Sequence, residues 1–170
     1  MKKFLKFTVF LIFLSLIGIG AYIFTQNKVG IPNSMVITGV KNRFPIEKSY
    51  PLGKIKLFNP KSHFQENKLI IEAEYINEAL NDRITGTMTF ETDIRYDQMS
   101  SKLYLENFTL KKLTKEGKDI DISEKPIIRT ALNFAFSQLE KQELADLRKV
   151  EKFQTVKDIK IENNKIVVIK

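Results

Sequence analysis

The stretch ITGTMTFETDIRY, Ile84 to Tyr96, decides how the chain is read. Ile84, Gly86, Met88, Phe90, Thr92, Ile94 and Tyr96 alternate with Thr85, Thr87, Thr89, Glu91, Asp93 and Arg95. Side chains along a strand point to opposite faces with a period of two, so one face here is apolar and the other polar. Thirteen residues at ~3.3 Å each span ~43 Å, against about five or six residues for an ordinary strand. Strands this long twist and coil. Several of them curled around a helix enclose an elongated space, which is either filled core or a tunnel for an apolar ligand.

The flanking segments repeat the pattern. NKLIIEAEY sets Leu69, Ile71, Ala73 and Tyr75 opposite Lys68, Glu72 and Glu74, and LGKIKLFNP spaces Ile55 and Leu57 by two with Phe58 out of phase. DQMSS supplies turn residues before KLYLENFTLKKL. In that last segment the apolar phase shifts from Leu103 and Leu105 to Phe108 and Leu110, which predicts a bulge near Glu106–Asn107. The connections are too short for crossovers, so the three central segments form an antiparallel meander.

Either side of the meander the period changes. Asn33 or Ser34 caps a short helix with Val36, Val40 and Phe44 on one side, ended by Pro45 and Pro51. A longer helix is expected to start near Ser123, with Pro126 in its first turn, and to run to about Val150. Its apolar residues Ile127, Ile128, Ala131, Leu132, Phe134, Ala135, Phe136 and Leu139 cover more than half its circumference, wider than the ~100° stripe a flat sheet would cover. A curved sheet partly wrapping the helix accounts for that width. Asn163–Asn164 is the expected tight turn of a closing hairpin, Val156–Glu162 with Lys165–Lys170.

The chain begins MKKFLKFTVFLIFLSLIGIGAYIFTQNK. Phe7 to Phe24 holds eighteen uncharged residues, ~27 Å as a helix and close to the hydrocarbon thickness of a bilayer. Residues 1–28 therefore read as a signal-anchor or a cleavable signal peptide, and residues 29–170 as a single α+β domain. Lys2, Lys3 and Lys6 hold the N-terminus in the cytoplasm and the remainder is exported. The expected location is the bacterial inner membrane, single-pass, with the C-terminal domain in the periplasm; after cleavage it would be free periplasmic protein.

Composition narrows the chemistry. The formal charge is +8, but the chain beyond Lys28 carries 24 basic and 20 acidic residues, interspersed. No nucleic-acid partner is expected from that pattern. There is no Cys and one His, His63 in NPKSHFQEN, read as a surface-loop residue. Thiolate chemistry and a His₂ or His₃ metal site are excluded. Seven glycines form no phosphate loop, no nucleophile elbow appears, and Glu72/Glu74 and Glu91/Asp93 lie on outward strand faces. No enzyme activity, cofactor or metal is expected. The candidate ligand-binding residues of an apolar groove are Met88, Phe90, Ile94, Leu103, Leu105, Leu132, Ala135 and Phe136, for each of which ordinary core is the default reading.

ITGTMTFETDIRYDQMSSKLYLENFTLKKL, the helix begun at Pro126 and IKIENNKIVVI together resemble the YceB-like family of bacterial envelope lipoproteins, over about Ile31 to Lys170. The resemblance implies a fold similar to the tubular lipid-binding (TULIP) proteins, a long coiled antiparallel sheet wrapped around a long C-terminal helix. It implies a phospholipid or fatty acyl ligand held in an apolar groove. The family's lipid-bearing N-terminal Cys is absent here, so the N-terminal helix would replace the lipid as the link to the membrane. The other function consistent with the pattern is a periplasmic structural or interaction protein with a fully packed core and no ligand.

Overall fold

The computed structural model describes residues 29–153 and 155–169. The expected N-terminal membrane helix, residues 1–28, lies outside the described residues. Among those described, no helix is long and apolar enough to cross a membrane.

Four long antiparallel strands form the centre: β3 (Gly53–Gln65), β4 (Lys68–Ala79), β5 (Asp82–Asp97) and β6 (Lys102–Lys115). A short strand, β2 (Ile46–Tyr50), pairs with β3 along one edge. At the other edge β7 (Lys118–Asp119) and β8 (Glu143–Asp146) each pair with part of β6. The seven strands make a strongly curled antiparallel sheet, a half-barrel. The expected period holds along it: Leu69, Ile71, Ala73 and Tyr75 in β4, and Met88, Phe90, Thr92 and Ile94 in β5, are buried. The β3–β4 turn sets Glu66 and Asn67 at positive φ, and the β4–β5 turn does the same with Leu80 and Asn81. Two consecutive left-handed residues give the hairpin turn whose twist matches that of the strands.

The bulge expected near Glu106–Asn107 is present. Glu91 pairs with Thr109 but Asp93 with Glu106, and Asn107 has a φ of 56°. A second irregularity lies between Thr89 and Phe90. A third interrupts β3 at Asn59–Pro60, after which the strand resumes and carries His63 on an exposed strand position, not in a loop. Bulges bend a strand and add twist, which helps the long meander to coil.

Curvature is also written into one glycine. Gly86 pairs with Tyr75, and the Tyr75 hydroxyl donates to Thr114 O at 2.9 Å, one strand further on. A Cβ on Gly86 would lie 1.9 Å from Thr114 O and 3.0 Å from the Tyr75 ring. Only the missing side chain lets β6 and the ring approach this closely.

Among the described residues two α-helices occupy the concave side and the seam. Helix α1 (Asn33–Arg43) buries Val36 and Val40 as expected; its N-cap position is Pro32, without a side-chain cap. Helix α2 (Pro126–Glu140) packs on β2, β3, β6 and β4. It is shorter at both ends than its sequence pattern predicts. Ser123 belongs to a separate 3₁₀ turn, Ile122–Glu124, closed by the Asp121 side chain. At the other end the expected run to Val150 stops at Glu140, and Glu143–Asp146 becomes β8. The cause is the β6 edge. Leu103 pairs with Ala145, Lys102 forms an ion pair with Glu143, and Leu144 is buried against α1. These contacts override the helical propensity of the local sequence.

The C-terminal hairpin is β9 (Asp158–Glu162) and β10 (Lys165–Ile169), turning through Asn163 and Asn164 at positive φ. Gln26–Pro32 reads as a linker in sequence, yet Val29–Ile31 forms a strand, β1, paired with β10. This three-stranded sheet is fastened to the half-barrel by two reciprocal bonds. Asn67 N donates to Asn164 Oδ1 at 2.9 Å, and Asn164 N donates to Asn67 Oδ1 at 3.0 Å.

Candidate functional site

All eight sequence-derived groove candidates are buried. Met88, Phe90, Leu103, Leu105, Leu132 and Ala135 are at most 2% exposed, with Ile94 at 8% and Phe136 at 9%. Cross-strand pairing joins Ile94 to Leu105. Phe90 meets Phe136 with ring centroids 5.0 Å apart, and Phe108 stacks on Phe136 at 4.9 Å. The eight belong to one continuous core cluster that runs between sheet and helix. Phe134, counted in the helix's apolar arc, is 38% exposed and stacks on Tyr50 at 6.2 Å.

Open space lies at the end of the half-barrel instead. There the β4–β5 turn, the end of β6, the segment after β7 and the start of α2 converge on a cavity of about 430 Å³. Its apolar wall is Ala79, Leu80, Ile84, Ile120, Ile127 and Ile128. Leu80 is 66% exposed on the rim, although it follows a buried strand. Its amide donates to Leu52 O at 3.3 Å, which brings a second exposed leucine beside it.

The polar complement of the cavity is small. Asn77 is buried and lines it, with its Oδ1 accepting from the Tyr50 hydroxyl at 2.8 Å. Lys115, Lys125, Asp82 and Glu124 complete the wall. A mostly apolar wall with a few charged groups suits a ligand with an apolar body and a polar end. Nearby, Thr114 is also buried and its hydroxyl lies 2.8 Å from that of Thr87. Burial pushes the Tyr75 phenol up to about 12, so it stays a neutral donor to Thr114 O across the ordinary pH range.

None of the eight groove candidates lines this end cavity, and sequence reasoning passed over the residues that do. One signal was available. Leu80 stands in ALND, an apolar residue beside turn formers where solvent exposure is expected.

Of the two carboxylate pairs, Glu91/Asp93 is engaged in surface ion pairs. Glu91 meets Lys111 at 2.9 Å and Asp93 meets Lys68, while Glu74 accepts from Asn59. Among the described residues no group of three or more His, Asp or Glu side chains gathers as a metal site. Comparison with models of protein families and with curated protein sequences finds no match.

Proposed function

We propose that the chain is a non-catalytic protein of the bacterial envelope that binds or shields a lipid or other hydrophobic ligand. The observation that carries this is the apolar end cavity, lined by Ala79, Leu80, Ile84, Ile120, Ile127 and Ile128. Its volume of about 430 Å³ lies within the ~300–1,000 Å³ range of small-molecule sites. A half-barrel sheet curled over α2 supports this reading as far as sheet and helix go, and the resemblance to YceB-like envelope proteins, which implies a tubular lipid-binding arrangement with a longer helix, points the same way. The N-terminal apolar segment would tether the domain to the inner membrane, facing the periplasm.

The end cavity, not the long groove, is then the ligand's seat, because the groove candidates pack on one another. Ile127→Trp is the test. It fills the cavity from α2 at a half-buried position. A fluorescent fatty-acid probe should bind the unsubstituted protein and lose at least tenfold in affinity with Ile127→Trp, while the denaturation midpoint stays close to that of the parent. A probe that binds both proteins equally places the ligand elsewhere.

The packed interior favours a second reading, a structural or interaction protein without a ligand. Mass spectrometry of organic extracts separates the two. A lipid that copurifies with the parent and is depleted in Ile127→Trp supports the first, and repeated absence of any lipid supports the second.

A further inference from the structure

A different pocket lies on the outer face of the sheet, where β2 leaves β3. The pairing of β2 with β3 ends at Ile46 and Leu57. Beyond that point β3 is bonded to β4 alone and is broken at once by the Asn59–Pro60 bulge. Asn59 takes a φ of 50° and donates from Nδ2 to Glu74 Oε1 at 3.0 Å. The opening is a depression of about 610 Å³ between the bulge, the end of α1 and the start of β2.

Its wall is unusual for an outward strand face. Phe58 and Ile76 are diagonal cross-strand neighbours, since Phe58 pairs with Glu74 and Ile76 with Lys56. Both are half-buried on an outward face that around them carries Lys54, Lys56, Glu74 and Glu78, with Ile70 further along β4. Phe44, Pro45 and Pro60 complete the apolar floor. Around it stand Lys41, Lys56 and Lys61, and the lining includes no carboxylate. Glu47 and Glu72 are the cross-strand partners of Lys56 and Lys61, yet among the described residues none of the three lysines is in an ion pair. Glu74, the nearest other acid in register, is held by Asn59.

We infer that this outer pocket binds a phosphate-bearing ligand with an apolar body, the apolar part on Phe58 and Ile76 and the phosphate among Lys41, Lys56 and Lys61. Three ammonium groups around one depression attract an anion, and an aromatic and proline floor removes apolar surface from water. A phospholipid headgroup region and a soluble organic phosphate share this chemistry. The pocket is distinct from the end cavity, so its occupancy and the proposed function stand or fall separately.

The chain has no Trp, and Phe58→Trp therefore places a single indole in the pocket. The full chain in neutral detergent is titrated with hexyl phosphate, hexanol and inorganic phosphate. In parallel it is reconstituted in nanodiscs of phosphatidylglycerol or of phosphatidylcholine. Hexyl phosphate should change the indole emission of Phe58→Trp saturably, at least tenfold more tightly than hexanol or inorganic phosphate. Lys41→Gln/Lys56→Gln/Lys61→Gln should weaken that response at least tenfold. Lys157→Gln/Lys160→Gln/Lys165→Gln, with the same loss of charge on exposed positions, should leave it unchanged. The backbone amide shift of Ile76 in the otherwise unsubstituted chain provides a second readout. A response in the discs but not to hexyl phosphate, stronger in phosphatidylglycerol than in phosphatidylcholine, whose choline offsets the phosphate charge, assigns the phosphate to a bilayer lipid and also supports the site. No response to either source overturns the inference, as does an equal response in the two lysine triples or equal affinity for inorganic phosphate.

Discussion

Gly86→Ala should destabilise the domain far beyond the usual effect of a glycine replacement in a strand. The new methyl would lie 1.9 Å from Thr114 O, about 1.5 Å short of an ordinary 3.4 Å contact. The obstacle is the backbone of β6, so relief requires moving a strand. Overpacking of this kind costs ~1–3 kcal/mol. Displacing Thr114 also strains its bond from the Tyr75 hydroxyl, worth ~0.5–1.5 kcal/mol. Reduced freedom of the unfolded chain returns only ~0.4–1 kcal/mol. The net loss is about 2 kcal/mol, within bounds of roughly 0.5–4. With a urea m-value of about 2 kcal/mol per molar, the midpoint of residues 29–170 should fall by roughly 1 M. Tyr75→Phe, which removes only the hydroxyl, should cost about 1 kcal/mol. A double-mutant cycle between the two should show coupling, because both act on the contact with Thr114. A Gly86→Ala midpoint equal to the parent's would refute the close approach of Tyr75 and β6 over this residue.

Phe90→Ala, at a site with no exposed surface beside Phe108 and Phe136, should cost ~3–5 kcal/mol in the same denaturation assay, and a loss below about 1 kcal/mol would contradict close packing there. Ala135→Phe should overpack the helix–sheet contact by roughly 1–3 kcal/mol, and a neutral result would reveal unfilled space beside α2. The Asp146 carboxyl, held down to about 2 first by its hydrogen bonds from the Arg148 side chain, should titrate near that value when followed by carboxyl-carbon NMR. Because its folded value lies below the usual 3.8, the stability it lends is present above pH 3.8 and fades as the pH falls towards 2; an ordinary midpoint would show that the pair with Arg148 does not persist in solution.

The meander was legible because its signal is local. Leu69, Ile71, Ala73 and Tyr75 alternate without interruption, and every second residue from Met88 to Ile94 is buried. The β6 bulge was legible for the same reason, since a phase shift between Leu105 and Phe108 needs an extra residue. The Asn163–Asn164 turn follows from the tolerance of asparagine for left-handed backbone. What escaped depended on distant partners. The segment Lys141–Val150 has helical composition, and only the unpaired edge of β6 and the contact of Leu144 with Gly39 make part of it a strand. Strand β3 was cut short in the sequence reading because Asn59–Pro60 breaks the alternation that resumes beyond it. The end cavity could not be read from periodicity at all. Its wall is assembled from turns and element ends, where side-chain direction is set by the fold and not by spacing.

The pairing of β1 with β10 bears on the order in which the molecule can be completed during synthesis. Val29 lies opposite Val168, so β1 leaves the ribosome 139 residues before the partner it pairs with. At ~5–20 residues per second that interval is on the order of ten seconds. Over the same period the half-barrel's neighbouring strands can pair locally and in sequence, since each lies beside the next. Ile31, buried in the finished molecule, therefore remains without its β10 partner through most of translation. A nascent chain arrested before Lys165 should carry an accessible Ile31 that a chaperone or a protease can reach.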